Sequence, residues 1–215
     1  MQGKIALFLH QPKCSVQSGN GIIRALSPSY TFKIFTRHAL EADFFDDVDI
    51  IAIPGGLGDA ASFDYLFKEN KDRIIQFLKG GGKYLGICMG AYWAGQHYFN
   101  ILDHVDAVQY ITRPSTDTRR PHAKGQPVLW CGEEEHMFFY DGCSLIGKGL
   151  THSDIWSLYP NGDAMAIIQD KIGLIGCHPE SELHWYKSHS WMPKHWHEGK
   201  HHKLLLNFVD ELITK

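Results

Sequence analysis

Short apolar runs separated by polar or glycine-rich turns set the rhythm of the first hundred residues. Lys4 to His10 reads as a strand, Gly19 to Leu26 as a short helix after a polar turn, and Thr31 to Arg37 alternates like a second strand. Val48 to Ile53 is apolar and β-branched and stops at Pro54-Gly55-Gly56, the pattern of a buried parallel strand that ends in a loop. Residues 60 to 79 read as a helix, with Leu66, Ile74, Ile75 and Leu78 available for its buried face and Gly80-Gly81-Gly82 ending it. Lys83 to Ile87 is the next strand and Ala91 to Phe99 the next helix. This alternation predicts an α/β fold: a doubly wound, mostly parallel sheet with right-handed crossovers and helices on both faces.

Beyond residue 105 the pattern changes. Val128 to Trp130 and Glu135 to Tyr140 read as strands separated by polar turns, and Ala164 to Gln169 with Ile172 to Gly176 as a hairpin around Asp170-Lys171. These predict an added antiparallel edge. Arg113 to Pro127 is the expected long loop. From His201 to Thr214, Leu204, Leu205, Phe208, Val209, Leu212 and Ile213 recur at helical spacing, so a C-terminal helix is expected to pack on the sheet.

Composition narrows the classes. With 215 residues, 44% hydrophobic and 21% charged, the chain is long enough for one compact domain spanning 1–215. A formal net charge of -3 offers no electrostatic reason to expect nucleic acid or an anionic membrane as partner. No run approaches the ~20 apolar residues that a bilayer-spanning helix needs, and the stretch after Met1 lacks the length and cleavage pattern of a signal peptide. Cysteines stand at 14, 88, 131, 143 and 177, an odd number without a CxxC pair, so reduced thiols and a cytoplasmic location are the expectation.

Three segments carry candidate chemistry. Gly86-Ile87-Cys88-Met89-Gly90 fits a strand, a G-x-C-x-G turn and then a helix. A tight strand-to-helix turn lifts its middle side chain above the sheet, and the helix N-terminus favours thiolate over thiol. Pro54-Gly55-Gly56-Leu57-Gly58 follows the preceding strand, and an acyl-transfer site needs N–H donors aimed at a developing oxyanion; Gly56 and Met89 are the candidate donors. Gly176-Cys177-His178-Pro179-Glu180 follows a later strand. There His178 is the candidate general base for Cys88, and Glu180 the group that orients and charges the imidazole. Each segment also has a plainer reading: a small buried cysteine, a glycine-rich turn, a solvated loop. Their order along the chain favours the catalytic one.

These segments resemble class I glutamine-amidotransferase-like proteins, which carry a P-G-G loop, a G-I-C-x-G elbow and an H-P-E segment in this order. Pro54-Gly55-Gly56 with Gly81-Gly82-Lys83-Tyr84-Leu85-Gly86-Ile87-Cys88-Met89-Gly90-Ala91-Tyr92 is most similar to the N-terminal domain of eukaryotic biotin-protein ligases and its free-standing bacterial counterparts. The resemblance spans roughly residues 4 to 180. It implies a flavodoxin-like fold and a triad at Cys88, His178 and Glu180, with Gly55 and Tyr92 beside the substrate. The implied activity is that of a thiol-dependent amidase or amidotransferase-like hydrolase acting on a small-molecule carboxamide without a cofactor. The alternative is a catalytically silent binding or regulatory module, since a retained fold need not retain its reaction.

The departures from the family pattern matter as well. Tyr92 stands four positions after Cys88, where a working glutaminase usually has Gln. These 215 residues contain no recognisable synthetase domain and no glycine- and arginine-rich adenylate loop of the biotin ligase type, so the expectation is that released ammonia would require a separate acceptor or synthetase protein. Met89 stands where the related peptidase and stress-protein branch typically has the His of its triad. His184, His189, His195, His197, His201 and His202 are irregularly spaced among tryptophans and read as an aromatic-anchored loop, with no metal expected. Glu133-Glu134-Glu135 reads as an exposed turn. Cys177 is a rival nucleophile that should point away from its neighbour His178.

Overall fold

The computed structural model describes residues 3–10, 16–36, 43–56, 63–64, 67 and 70–215. Among them, eleven strands form one sheet in the order β2-β1-β3-β4-β11-β10-β9-β6-β7, with β8 joined to β10 and β5 to β8. The first half supplies β1 (Gly3–Phe8), α1 (Val16–Leu26), β2 (Tyr30–Phe35), β3 (Ile50–Ile53), α2 (Lys71–Lys79), β4 (Lys83–Ile87) and α3 (Met89–Ala94). β5 (Asp106–Gln109), β6 (Lys124–Trp130), β7 (Glu133–Phe139), β8 (Cys143–Ile146) and β9 (Ile155–Leu158) follow. β10 (Ala164–Gln169), β11 (Ile172–Ile175), α4 (Leu183–Lys187) and α5 (Lys200–Thr214) complete the chain.

The pairs β2–β1, β1–β3, β3–β4 and β4–β11 are parallel, and the rest of the sheet is antiparallel. This is the doubly wound, flavodoxin-like α/β sheet with its antiparallel extension. Side chains alternate along the strands as the period of two requires. Ile5, Leu7, Leu85 and Ile87 enter one core with Ile22 and Leu26 of α1 and Leu205 and Phe208 of α5. Ala6, Phe8, Ile51 and Tyr84 enter the other with Ile74 of α2 and Met89 and Trp93 of α3. Each face of the sheet is therefore roofed by helices.

Several expectations shift in detail. The helix after β4 begins at Met89 rather than Ala91 and stops at Ala94, because Gly95 turns extended (ψ 173°). Phe99 lies beyond the helix yet is 1% exposed, its amide bonded to the Trp93 carbonyl. β6 starts at Lys124, which shortens the loop expected from Arg113 to Pro127. Glu133-Glu134-Glu135 is not a turn: it opens β7, and Glu135 is 7% exposed, paired with His201 and Lys200. Leu57, Gly58, Leu66, Arg37 and part of the helix read over 60 to 79 lie outside the described residues.

Candidate active site

β3, β4 and β11 lie side by side and end level with one another: Ile53 is in register with Gly86, and Ile87 with Ile175. The three motif segments leave the carboxyl ends of these three parallel strands, where open α/β sheets form their ligand crevices. Residues 88 and 178, ninety apart in sequence, are thereby brought together by register.

Cys88 sits on the turn into α3 with φ 50° and ψ -104°, a conformation that costs a non-glycine residue of order 1–3 kcal/mol. Its N–H donates to the Ile175 carbonyl (2.8 Å), and its own carbonyl accepts the amides of Ala91 and Tyr92. Neighbouring packing fixes the turn. The Tyr84 hydroxyl donates to the Gly90 carbonyl (2.7 Å), and a Cβ on Gly90 would stand 2.1 Å from the Ile53 carbonyl oxygen. Cys88 is 8% exposed and lines the cavity.

His178 is tied by its N–H to the Phe138 carbonyl on β7 (2.9 Å) and by Nδ1 to Glu180 Oε1 (2.8 Å). With Nδ1 engaged by Glu180, Nε2 is the imidazole nitrogen left to face the cavity that Cys88 and His178 both line. Burial opposes charge on His178, but the Glu180 carboxylate and the Cys88 sulfur outweigh it and raise its pKa to about 10. Glu180 itself is fully buried behind the imidazole.

The cavity above Cys88 measures about 590 Å³. Gly55, Gly56, Met89 and Tyr92 border it beside Cys88 and His178, while Phe138, Tyr140, Asp141 and Trp185 build its other wall. The Tyr92 hydroxyl donates to the Asp141 carbonyl (3.2 Å), and burial pushes this phenol's pKa well up. Burial also raises the Asp141 carboxyl above the usual carboxylate range, against a hydrogen bond from Gln109 (3.1 Å). Trp93, the neighbour of Tyr92, is fully buried in the core.

Cys177 lies fully buried in the core, its sulfur 3.7 Å from the Tyr159 hydroxyl, and burial pushes its thiol up. Among the described residues, no group of three or more His, Cys, Asp or Glu could hold a metal ion. His197 and His202 instead donate from Nε2 to the Ser181 carbonyl (3.1 and 3.0 Å), and His197 Nδ1 accepts the amides of Gly199 and His201. These imidazoles brace the segment that carries His178 and Glu180.

The sequence reading missed the aromatic wall, because Phe138 and Trp185 come from β7 and α4 and only the tertiary fold brings them to the cavity. It also missed Ser18 on α1, whose hydroxyl reaches Glu180. A serine at the start of a short helix carries no local sign of such a role.

This sheet has the fold of solved glutamine amidotransferases. Within it, residues 12–108 match the family described as biotin-protein ligase, N terminal. Solved structures agree on the fold. A glutamine amidotransferase from Thermotoga maritima is similar with a TM-score of 0.69 at 12% identity, covering 100% of both chains. A glutamine amidotransferase from Methylobacillus flagellatus is similar with a TM-score of 0.54 at 13% identity, covering 100% of this chain and 90% of that one. PurLQS from Thermotoga maritima gives 0.61 at 12% identity, over 97% of this chain and 100% of that one. Among curated proteins, none matches the chain in sequence. No helix among the described residues is long and apolar enough to cross a membrane.

Proposed function

We propose that the protein is a thiol-dependent amidase or amidotransferase-like hydrolase, acting through Cys88, His178 and Glu180 on a small-molecule carboxamide. The observation that carries this reading is that Cys88, on a strained elbow, lines one cavity with His178, whose Nδ1 is hydrogen-bonded to the buried Glu180. The Cys88 thiolate attacks the carboxamide carbon, forming a C–S bond as the carbonyl π electrons move to oxygen. The N–H groups of Gly56 and Met89, both at the cavity, serve as donors to that oxyanion. His178 then passes its proton to the leaving nitrogen as the C–N bond breaks and a thioester remains. Water attacks the thioester, His178 takes the water's proton, and the thiolate departs. Where the nitrogen is released as ammonia, a separate acceptor or synthetase protein would consume it.

Tyr92 and the aromatic wall favour a substrate less polar than glutamine. A cavity of about 590 Å³ lies within the range of drug-sized ligand sites, roughly 300–1,000 Å³. The test is a panel of glutamine, short aliphatic amides and aryl-bearing amides, offered to the wild type and to Cys88→Ala. Release of amine, with a thioester on Cys88 trapped by mass spectrometry, is expected for the bulkier amides and absent in the variant. If no amide in the panel acylates Cys88, the enzyme reading gives way to a binding or regulatory module.

A further inference from the structure

We infer that Ser18 is a positioning residue that locks the Glu180 carboxylate to the Gly55 loop and thereby holds that carboxylate against His178 Nδ1. The inference rests on the triad reading above and goes beyond it, to a residue on a different element. Ser18 is fully buried in the first turn of the described part of α1. Its hydroxyl donates to Glu180 Oε1 at 2.6 Å and accepts the Gly55 N–H at 2.9 Å. One hydroxyl thus joins the P-G-G loop after β3 to the acid of the H-P-E segment after β11.

The surroundings make this bond matter. Glu180 Oε1 takes both the Ser18 hydroxyl and His178 Nδ1, whereas Oε2 is buried with no hydrogen-bond partner among the described residues. A buried carboxylate with two donors, both on one oxygen, has little to spare. Removing the Ser18 donor frees the carboxylate to turn away from Nδ1, and an imidazole that loses this partner loses a favourable contact of its charged form. One turn on, Gly21 brings the helix down onto the acid: a Cβ there would stand 2.2 Å from the Glu180 carbonyl oxygen. Ser18 and Gly21, three apart on one helix face, therefore fix Glu180 by a hydrogen bond and by contact. On the loop side, a Cβ on Gly55 would stand 2.4 Å from His178 Cε1, so the Ser18 bond to the Gly55 amide also sets the surface against which the imidazole rests. The other titratable groups facing this carboxylate are Cys177 and Tyr186, both buried; Cys88 faces the far side of His178.

The test follows the His178 ring by NMR in the full chain, its signals assigned by their loss in His178→Ala. In Ser18→Ala the His178 titration midpoint is expected to fall by at least one pH unit, and Ser18→Thr, which keeps the hydroxyl, is expected to restore it. A midpoint in Ser18→Ala equal to that of the wild type overturns the inference, whatever the reactivity of Cys88. Should Ser18→Ala fail to fold, the Ser18→Thr and Ser18→Cys pair replaces it, because cysteine is a poor donor of nearly the same shape; equal midpoints in that pair overturn the inference too. Alkylation of Cys88 by iodoacetamide at pH 7 reads the triad separately. If the wild type is no faster than a free cysteine peptide and His178→Ala changes nothing, the proposed thiol chemistry fails while the Ser18 result still stands or falls on the ring titration.

Discussion

At residue 88 the backbone and the side chain make opposing demands. The φ of 50° and ψ of -104° suit glycine, yet the position carries the nucleophile that the proposed chemistry needs. Cys88→Ala keeps the strain and loses the sulfur, whereas Cys88→Gly releases the strain. Cys88→Gly is therefore expected to be more stable than Cys88→Ala by about 1 kcal/mol in urea unfolding, with both inert toward amides. Equal stabilities would mean that the elbow is not strained. Gly55→Ala makes the complementary demand on space. Its Cβ would stand 2.4 Å from His178 Cε1, so the imidazole must shift. The expected outcome is a loss of about 1–3 kcal/mol and at least a tenfold slower alkylation of Cys88 at pH 7, read against the same variant's circular dichroism. Cys88, His178 and Glu180 could be singled out as candidates in the sequence because each follows a run that announces a buried strand. Ser18 was not, since its two partners come from residues 55 and 180 and nothing near it in the chain points to either.

At the scale of elements, the N-terminal turn of α5 shows what the His-rich segment does. The first amides of a helix lack intrahelical partners, and here His197 Nδ1 accepts that of His201 at 3.3 Å while its Nε2 holds the Ser181 carbonyl. His197→Ala removes a cap and a tether together, and a loss of about 1–2 kcal/mol is expected in urea unfolding with no requirement for added metal. Full recovery of wild-type stability by zinc alone would point instead to a metal-binding segment. The strands of the parallel half were legible within two residues or so, since Ile50–Ile53 and Lys83–Ile87 are buried and bounded by turns. Glu133-Glu134-Glu135 misled because three acids look solvated. Glu135 in fact pairs with Val128 across the β6–β7 ladder and meets Lys200 and His201 from the distant helix, a set of partners that no local pattern encodes. The short helix after Cys88 was misplaced for a similar reason: its limits are set by Gly90 against β3 and by the turn at Gly95.

For the molecule as a whole, two sets of buried histidines set opposite limits on pH. His197 and His201 are held neutral: burial lowers their pKa values from 6.5 to about 3 and about 4, and the Glu135 bond to His201 does not reverse this. Below pH 6.5 the unfolded chain takes up protons that the native state refuses, so stability present above 6.5 is lost as the pH falls toward 4. His178 works in the other direction. Its raised pKa of about 10 gives stability that is fully present below 6.5 and is lost as the pH rises through about 10. Each imidazole changes stability by at most about 1.4 kcal/mol per pH unit. His201, at 2% exposure, contributes more fully than the half-buried His197, whose charge water can partly screen. The melting temperature should therefore peak near pH 6.5 and fall on both sides. Substituting one group should flatten only its own limb: His178→Gln the alkaline one, His201→Gln the acid one. Melting curves of the three proteins from pH 4.5 to 10 check this, and a His178→Gln curve that keeps the wild-type alkaline slope would mean that the imidazole next to Cys88 is not charged in the folded protein.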